Sequence, residues 1–366
     1  MACVEKARIR QNRNPCILSV AAMQHVSPYL PTQINRGPFL TAYSLNELLK
    51  RAPNERIVLP ICSLGTPIEQ LANLAPFVLP PLYHEAMTGE LKEAILARIR
   101  TCFPFYEGTR ARREIPCEFD VVELPASRHP APDSPRVLAF SVDTAVEEHG
   151  PHLPLMTDTI QSYGVLNCLA QEVDGMLVGP PVEYGHLTWG LPYGFSIDLT
   201  PPLVTRYVTG FVNAMIEWLS PQSMYVVDVH GSIVHRTAII DGLKESHCER
   251  WAFRWLHDPL VEFAGERGDQ HAGGVETSLV HFINPQLVDS EWWPDRVKEL
   301  VAGQMSLEEA IELSPDLPRF IDVVQVRSLN GIVGDVQNFF QVDAQLMMDR
   351  MLNVAREDLH ELKKAE

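Results

Sequence analysis

The feature that most constrains this chain is the alternation of short apolar runs with helix-spaced ones after residue 137. Residues 137–142 and 224–229 are almost wholly apolar and stop at polar residues, which predicts strands buried on both faces. Residues 176–178 predict a third, shorter strand. Between and after them, residues 161–172, 201–219, 276–282 and 341–364 carry helical spacing, and Pro201 and Pro202 sit where a first helical turn tolerates proline. Strands alternating with helices predict a largely parallel sheet covered by helices. Ligands of such sheets lie at the carboxyl ends of the strands.

The stretch 125–136 (PASRHPAPDSPR) carries four prolines and reads as an extended connector. It divides an N-terminal α/β region, 1–124, from a domain spanning 137–366. In the first region Ser44 and Glu47 have capping-box spacing and open a helix through Lys50. Residues 57–61 predict a buried strand and 90–103 a helix. No catalytic cluster stands out there, and His84-Glu85 reads as a surface pair. The balance of 30 Lys+Arg against 47 Asp+Glu, a net charge of −17, argues against a nucleic-acid partner, which needs a basic face. No apolar run approaches the roughly 18 to 20 residues of a membrane span. No apolar segment follows the N-terminal charges as in a secretory signal. Seven scattered cysteines without a CxxC pair predict reduced thiols and a cytoplasmic location.

The densest polar cluster follows the first strand of the C-terminal region. In an extended segment Glu147 and His149 point the same way, Gly150-Pro151 turns the chain, and Asp158 can return to the same point. Two carboxylates with an imidazole suit Zn, Mn or Fe(II); the plainer alternative is an acidic surface turn. His230-Gly231 at the end of the run 224–229 is placed to line a cleft, or is simply a satisfied strand-end histidine. His271-Ala-Gly-Gly-Val-Glu276 combines glycines that permit close backbone approach with a carboxylate entering a helix.

Together these segments resemble the creatininase family. Glu147-x-His149-Gly150-Pro151-His152-Leu153-Pro154 with Thr157-Asp158 is similar to the family's opening motif. Residues 271–278 match its His-Ala-Gly-x-x-Glu-Thr-Ser element. Gly331, Gly334 and Asp335 match a late Gly-x-x-Gly-Asp, and Tyr184-Gly185 a Tyr-Gly element. The stretch 228–233 departs from the family's Asn-Gly-His-Gly-Gly-Asn, with Asp228 and Ile233 in place of asparagines. The resemblance spans about residues 137–355. It implies a three-layer α-β-α sandwich with a mostly parallel sheet and two divalent ions, Zn, Mn or Fe. By that likeness Glu147 and His230 hold one ion, His149 and Glu276 the other, and Asp158 bridges them. A Glu two residues after the strand-end His, used by some members, is here Ser232. His271 would be the catalytic proton donor, and Glu148 would point away from the metals.

The aromatic, glycine-rich stretch 184–198 offers Tyr184, His186, Trp189 and Tyr193, with Ser232, as substrate-binding candidates; packing on the core is the equal alternative. Trp292-Trp293 reads as packing or an oligomer contact. The resemblance implies a hydrolase of a C–N bond in a small amide, cyclic amide or formamide-like molecule, working as a homo-oligomer. A peptide-processing hydrolase of cofactor or natural-product maturation is the alternative, with the N-terminal region holding the peptide. A non-catalytic metal-binding or scaffold relative is a third. Residues 57–65 faintly resemble the family's first strand, which makes the N-terminal region either a degenerate duplicate or an unrelated cap. No GxGxxG or Walker loop is present.

Overall fold

The computed structural model describes residues 37–52, 55–106, 118–127, 129–292 and 295–364. Cys3, Cys16, Cys117 and Trp293 lie outside the described residues. The N-terminal region holds α1 (Leu45–Arg51), β1 (Ile57–Cys62), α2 (Ile68–Ala72), β2 (Phe77–Val78), β3 (Leu82–Tyr83), α3 (Gly89–Cys102) and β4 (Phe119–Glu123). The expected capping box closes the start of α1: Ser44 Oγ accepts from Glu47 N, and the Glu47 carboxylate accepts from Ser44 N. Strand β1 is the centre of this sheet. It pairs in parallel with β2 and then β3 along one edge and with β4 along the other.

The second sheet is also parallel, in the order β6-β5-β7-β8, with β5 (Val137–Ser141), β6 (Met176–Val178), β7 (Ser223–Asp228) and β8 (Trp251–Trp255). Its helices are α4 (Thr157–Glu172), α5 (Pro201–Leu219), α6 (Ile233–Glu245), α7 (Val261–Arg267) and α8 (Gly274–Ile283), then α9 (Val297–Gly303), α10 (Leu307–Leu313), α11 (Leu317–Arg327) and α12 (Ala344–Lys364). Alternating side chains divide β5 between two cores. Leu138 and Phe140 face α5 and α6, whereas Val137 and Ala139 face α4, α8 and α12. This is the expected three-layer α-β-α sandwich. The 124–136 stretch carries no strand or helix among the described residues.

Three expectations shift. The strand at 224–229 ends at Asp228, so Val229 and His230 begin a loop at its carboxyl end. The helices start earlier than periodicity suggested, at Thr157 and Gly274, which puts Asp158 and Glu276 in first turns. The expectation of reduced thiols throughout is corrected at Cys168, which is disulfide-bonded, while Cys62, Cys102 and Cys248 are free. No helix among the described residues is long and apolar enough to cross a membrane.

One apolar core joins the two regions. Phe211 of α5 meets Tyr83 of β3 at 5.7 Å and Phe140 of β5 at 5.2 Å between ring centroids. Tyr184 Oη donates to Pro80 O at 2.7 Å. Truncating fully buried Phe211 to Ala should cost about 3–5 kcal/mol. In calorimetry both regions should melt in one transition; two independent transitions would mean that they do not share this core.

Candidate metal centre

The loop after β5 and the ends of β7 and β8 converge on one cleft, as the parallel topology requires. Glu147, His149 and Asp158 are all buried. Their donor atoms lie within 4.8 Å of one another, and so do those of His149, His271 and Glu276. His149 therefore belongs to both groups. Asp158 stands between two histidines. Its Oδ1 is 3.3 Å from His149 Nε2, and its Oδ2 is 3.2 Å from His230 Nδ1. Glu147 Oε2 is 3.1 Å from the same His230 nitrogen. Thr144 Oγ1 lies within hydrogen-bond distance of both carboxylates, 2.6 Å from Asp158 Oδ2, and its one hydrogen can be given to either.

The backbone fixes the imidazoles. His149 Nδ1 is 3.0 Å from Glu147 O, so it carries the hydrogen and leaves Nε2 facing Asp158 and, at 3.9 Å, Glu276. His149 Nε2 is buried without a hydrogen bond. His230 N donates to Asp228 Oδ1 at 2.9 Å, and its carbonyl accepts from Trp255 Nε1 at 2.7 Å. His271 Nε2 donates to Glu148 O at 2.6 Å, leaving Nδ1 at 4.0 Å from Glu147 Oε1. Glu276 Oε2 accepts from Ala272 N at 2.5 Å.

Charge explains why these groups belong together. Burial favours neutral His149, yet the carboxylates of Asp158 and Glu276 push it up to about 10. His230 is raised in the same way by Glu147 and Asp158. Asp158 is held well below its usual range, against burial, by His149 and His230. Burial raises Glu276. Among the described residues, the ion-pair partners of Glu147, Asp158 and Glu276 are histidines. A lone-pair nitrogen aimed at carboxylate oxygens needs a cation between them. Either a proton or a metal ion can supply it, and metal binding would release the protons. Nitrogen and oxygen donors of this kind fit Zn, Mn or Fe.

The cleft holds about 210 Å³. Of the five expected ligands, Glu147, Asp158, His230 and Glu276 line it, with His149 buried behind; His271 lines it too. Trp189 and Ser232 are on its wall, and Ser232 Oγ also caps α6 by accepting from His235 N at 3.2 Å. Tyr184, His186 and Tyr193 are placed elsewhere. Tyr184 is core, with its hydroxyl on Pro80. His186 Nδ1 bonds Asp198 at 2.7 Å. Tyr193 packs edge-on against Phe320 at 6.3 Å. Their polar tips mark them as pocket candidates by residue type, but the loop commits them to a backbone carbonyl, a carboxylate and an aromatic neighbour. Glu148 accepts from Gly150 N, its Oε2 lies 3.9 Å from His271 Nε2, and burial pushes it up to about 8. Trp292 is buried packing.

Sequence reasoning missed Thr144, His257, Gln270, Leu187 and Thr188. Thr144 sits three residues before Glu147 at a strand end, a position that could have flagged it. His257 follows β8, a strand whose half-buried WAFRW run hid it. The wall at Leu187 is itself tied down: Leu187 N donates to Asp198 Oδ1 at 3.1 Å, and Asp198 pairs with Arg98 of α3.

Residues 137–356 match the model of the creatininase family, described as creatinine amidohydrolase. The chain belongs to the creatininase family. Two similar proteins are mycofactocin precursor peptide peptidases. That of Mycobacterium ulcerans is 26% identical over 217 residues, covering 57% of this chain and 79% of the relative. That of Mycolicibacterium smegmatis is 27% identical over 216 residues, covering 57% and 78%. A solved creatinine amidohydrolase (creatininase) aligns with a TM-score of 0.47 at 16% identity, covering 62% of this chain and 91% of that one.

This creatininase-family chain keeps two other histidines neutral inside the fold. Burial, with nearby His149, lowers His152 to about 3; burial, with nearby His230, lowers His235 to about 3. His152 Nε2 shares a hydrogen bond of 2.8 Å with Thr277 Oγ1. Between pH 3 and the ordinary value of 6.5, the unfolded chain takes up a proton at His152 that the folded chain refuses. Stability from this group is thus present above about 6.5 and is lost as pH falls. His152→Gln keeps a hydrogen-bonding group toward Thr277 and cannot titrate. Its stability deficit against wild type, measured by urea unfolding in chelator, should shrink from pH 7 to pH 4. An unchanged deficit would mean that His152 is not held neutral.

Proposed function

We propose that the protein is a dinuclear metal-dependent hydrolase of an amide C–N bond. The observation that carries this reading is Asp158, whose two oxygens face His149 and His230 on opposite sides. That is the posture of a carboxylate shared by two ions. In this reading Glu147 and His230 hold one ion, His149 and Glu276 the other, and Asp158 both. Three carboxylates and two neutral imidazoles balance most of the charge of two divalent cations. Such a pair supplies a water of lowered pKa and a Lewis acid for a carbonyl oxygen.

The chain's own residues do the rest. Thr144 and the backbone clamps on His149 and His230 hold the donors in place before substrate arrives. His271 presents Nδ1 to the cleft while its other nitrogen is tied to Glu148 O. It can take up a proton at Nδ1 and pass it to the departing nitrogen. Burial and His149 lower its pKa to about 4, so a captured proton is readily given up. Trp189 and Leu187 supply apolar wall to the cleft beside these donors.

The family resemblance implies an amide, cyclic amide or formamide-like C–N bond of a small molecule. The similarity to the two mycofactocin precursor peptide peptidases supports a peptide bond instead, and we take a peptide as the substrate class. Elemental analysis tests the centre: wild type should retain about two ions per chain, and Asp158→Ala should lose both. Retention of one ion by the variant would rule out a bridge. His271→Gln should keep both ions while kcat falls roughly 100-fold or more. Loss of an ion in that variant would make His271 a ligand rather than a proton donor.

A further inference from the structure

We propose that the groove between the first turns of α5 and α6 is a subsite for an apolar residue of the peptide substrate. The inference rests on the peptide reading above. Ile233 is 69% exposed and Val234 49%, two neighbouring large apolar side chains open to solvent at a helix start. With Pro201 and Pro202 of α5 they form an apolar floor, framed by Arg206 and Asp241. Adjacent exposed apolar side chains of this kind mark binding surfaces.

Continuity with the metal cleft identifies the occupant. Gly231 and Ser232 line the cleft, and the next two residues line the groove. The chain thus passes directly from the wall of the cleft to the wall of the groove, within a few multiples of the roughly 3.8 Å between consecutive Cα atoms. A cleft of about 210 Å³ takes the reacting amide and little more. An extended peptide advances about 3.3 Å per residue, and in the proposed binding mode a residue close to the scissile bond would lie over Ile233. Charges of both signs frame the groove, which leaves apolar contact as its selective element.

The test uses two fluorogenic octapeptides, with Leu or Ser flanking the cleaved bond, on metal-loaded wild type and on the Ile233→Ser/Val234→Ser double variant. Wild type should prefer the Leu peptide by about tenfold in kcat/KM, mainly through KM, and the variant should show almost no preference. Equal preference in both proteins would overturn the subsite. Cleavage of neither peptide by wild type with its full metal content would overturn the peptide reading itself. Sedimentation velocity runs alongside: a drop in mass on substitution would mean that a second copy of the chain covers the groove, and would also overturn the subsite.

A separate observation concerns the N-terminal region. In β1, Val58 pairs with Val78 and Ile61 with Leu82; in the other sheet, Ala139 pairs with Val178 and Val142 with Val182. The intervening chain reads Val78-Leu-Pro-Pro-Leu82 and Val178-Gly-Pro-Pro-Val182. Leu79 N donates to Val58 O and Gly179 N to Ala139 O, both at 2.8 Å. On the opposite edges β4 and β7 pair in parallel with β1 and β5. We infer that β1 to β4 are a second, metal-free copy of the half-fold β5 to β7. The shift from 58 to 139 sets Thr66 where Glu147 stands and Ile68 where His149 stands. Ile61 pairs with Glu123, and Val142 is level with Asp228, so Pro125 takes the place of His230. At that spot Thr66, Ile68 and Leu71 line a small apolar pocket under Trp218. An experimental structure should superpose the two sets of strands in one order, and Asp158→Ala should leave no residual ion in the N-terminal half. A different strand order, or a metal ion retained near Thr66, would overturn the duplication.

Discussion

Everything around the cleft depends on one electrostatic constraint. Carboxylates and imidazoles are buried together, and the ion pairs within the group are all of one kind, histidine with carboxylate. Such a group is costly unless a cation is shared among its members. The fold meets that demand with main-chain clamps. Each of the three histidines at the centre is fixed through its own or a neighbour's backbone, so the donor atoms keep their positions whether a proton or a metal ion lies between them. The parallel sheet follows from the same need. It brings segments distant in sequence, at 147–158, 230 and 271–276, to one edge.

Much of this was legible in the sequence, for physical reasons. The runs at 137–142 and 224–229 are buried on both faces, so their composition alone marks them as strands. The Glu147–Asp158 and His271–Glu276 segments keep their donors within a few residues, and their geometry follows from local backbone. What was illegible depended on long-range contact. Strand β8 is half-buried, and an Arg within its aromatic run masks the pattern. Tyr184, His186 and Tyr193 look like pocket residues by type, but Pro80, Asp198 and Phe320 claim them. Cys168 reads as one scattered thiol among seven, since pairing is a property of space and not of spacing.

The family match begins at residue 137, yet the cleft does not end there. Asp198 steadies the wall at Leu187 and is itself neutralised by Arg98, far upstream on α3. Tyr184 leans on Pro80. The N-terminal half therefore contacts the residues that hold this wall of the cleft. A fragment trimmed to the boundaries of the matched family would retain every proposed metal donor. It would take Arg98 away from Asp198, leaving His186 as that aspartate's charged partner, and would remove the Pro80 contact of Tyr184. The unit that packs around the cleft is thus larger than the unit that its motifs define.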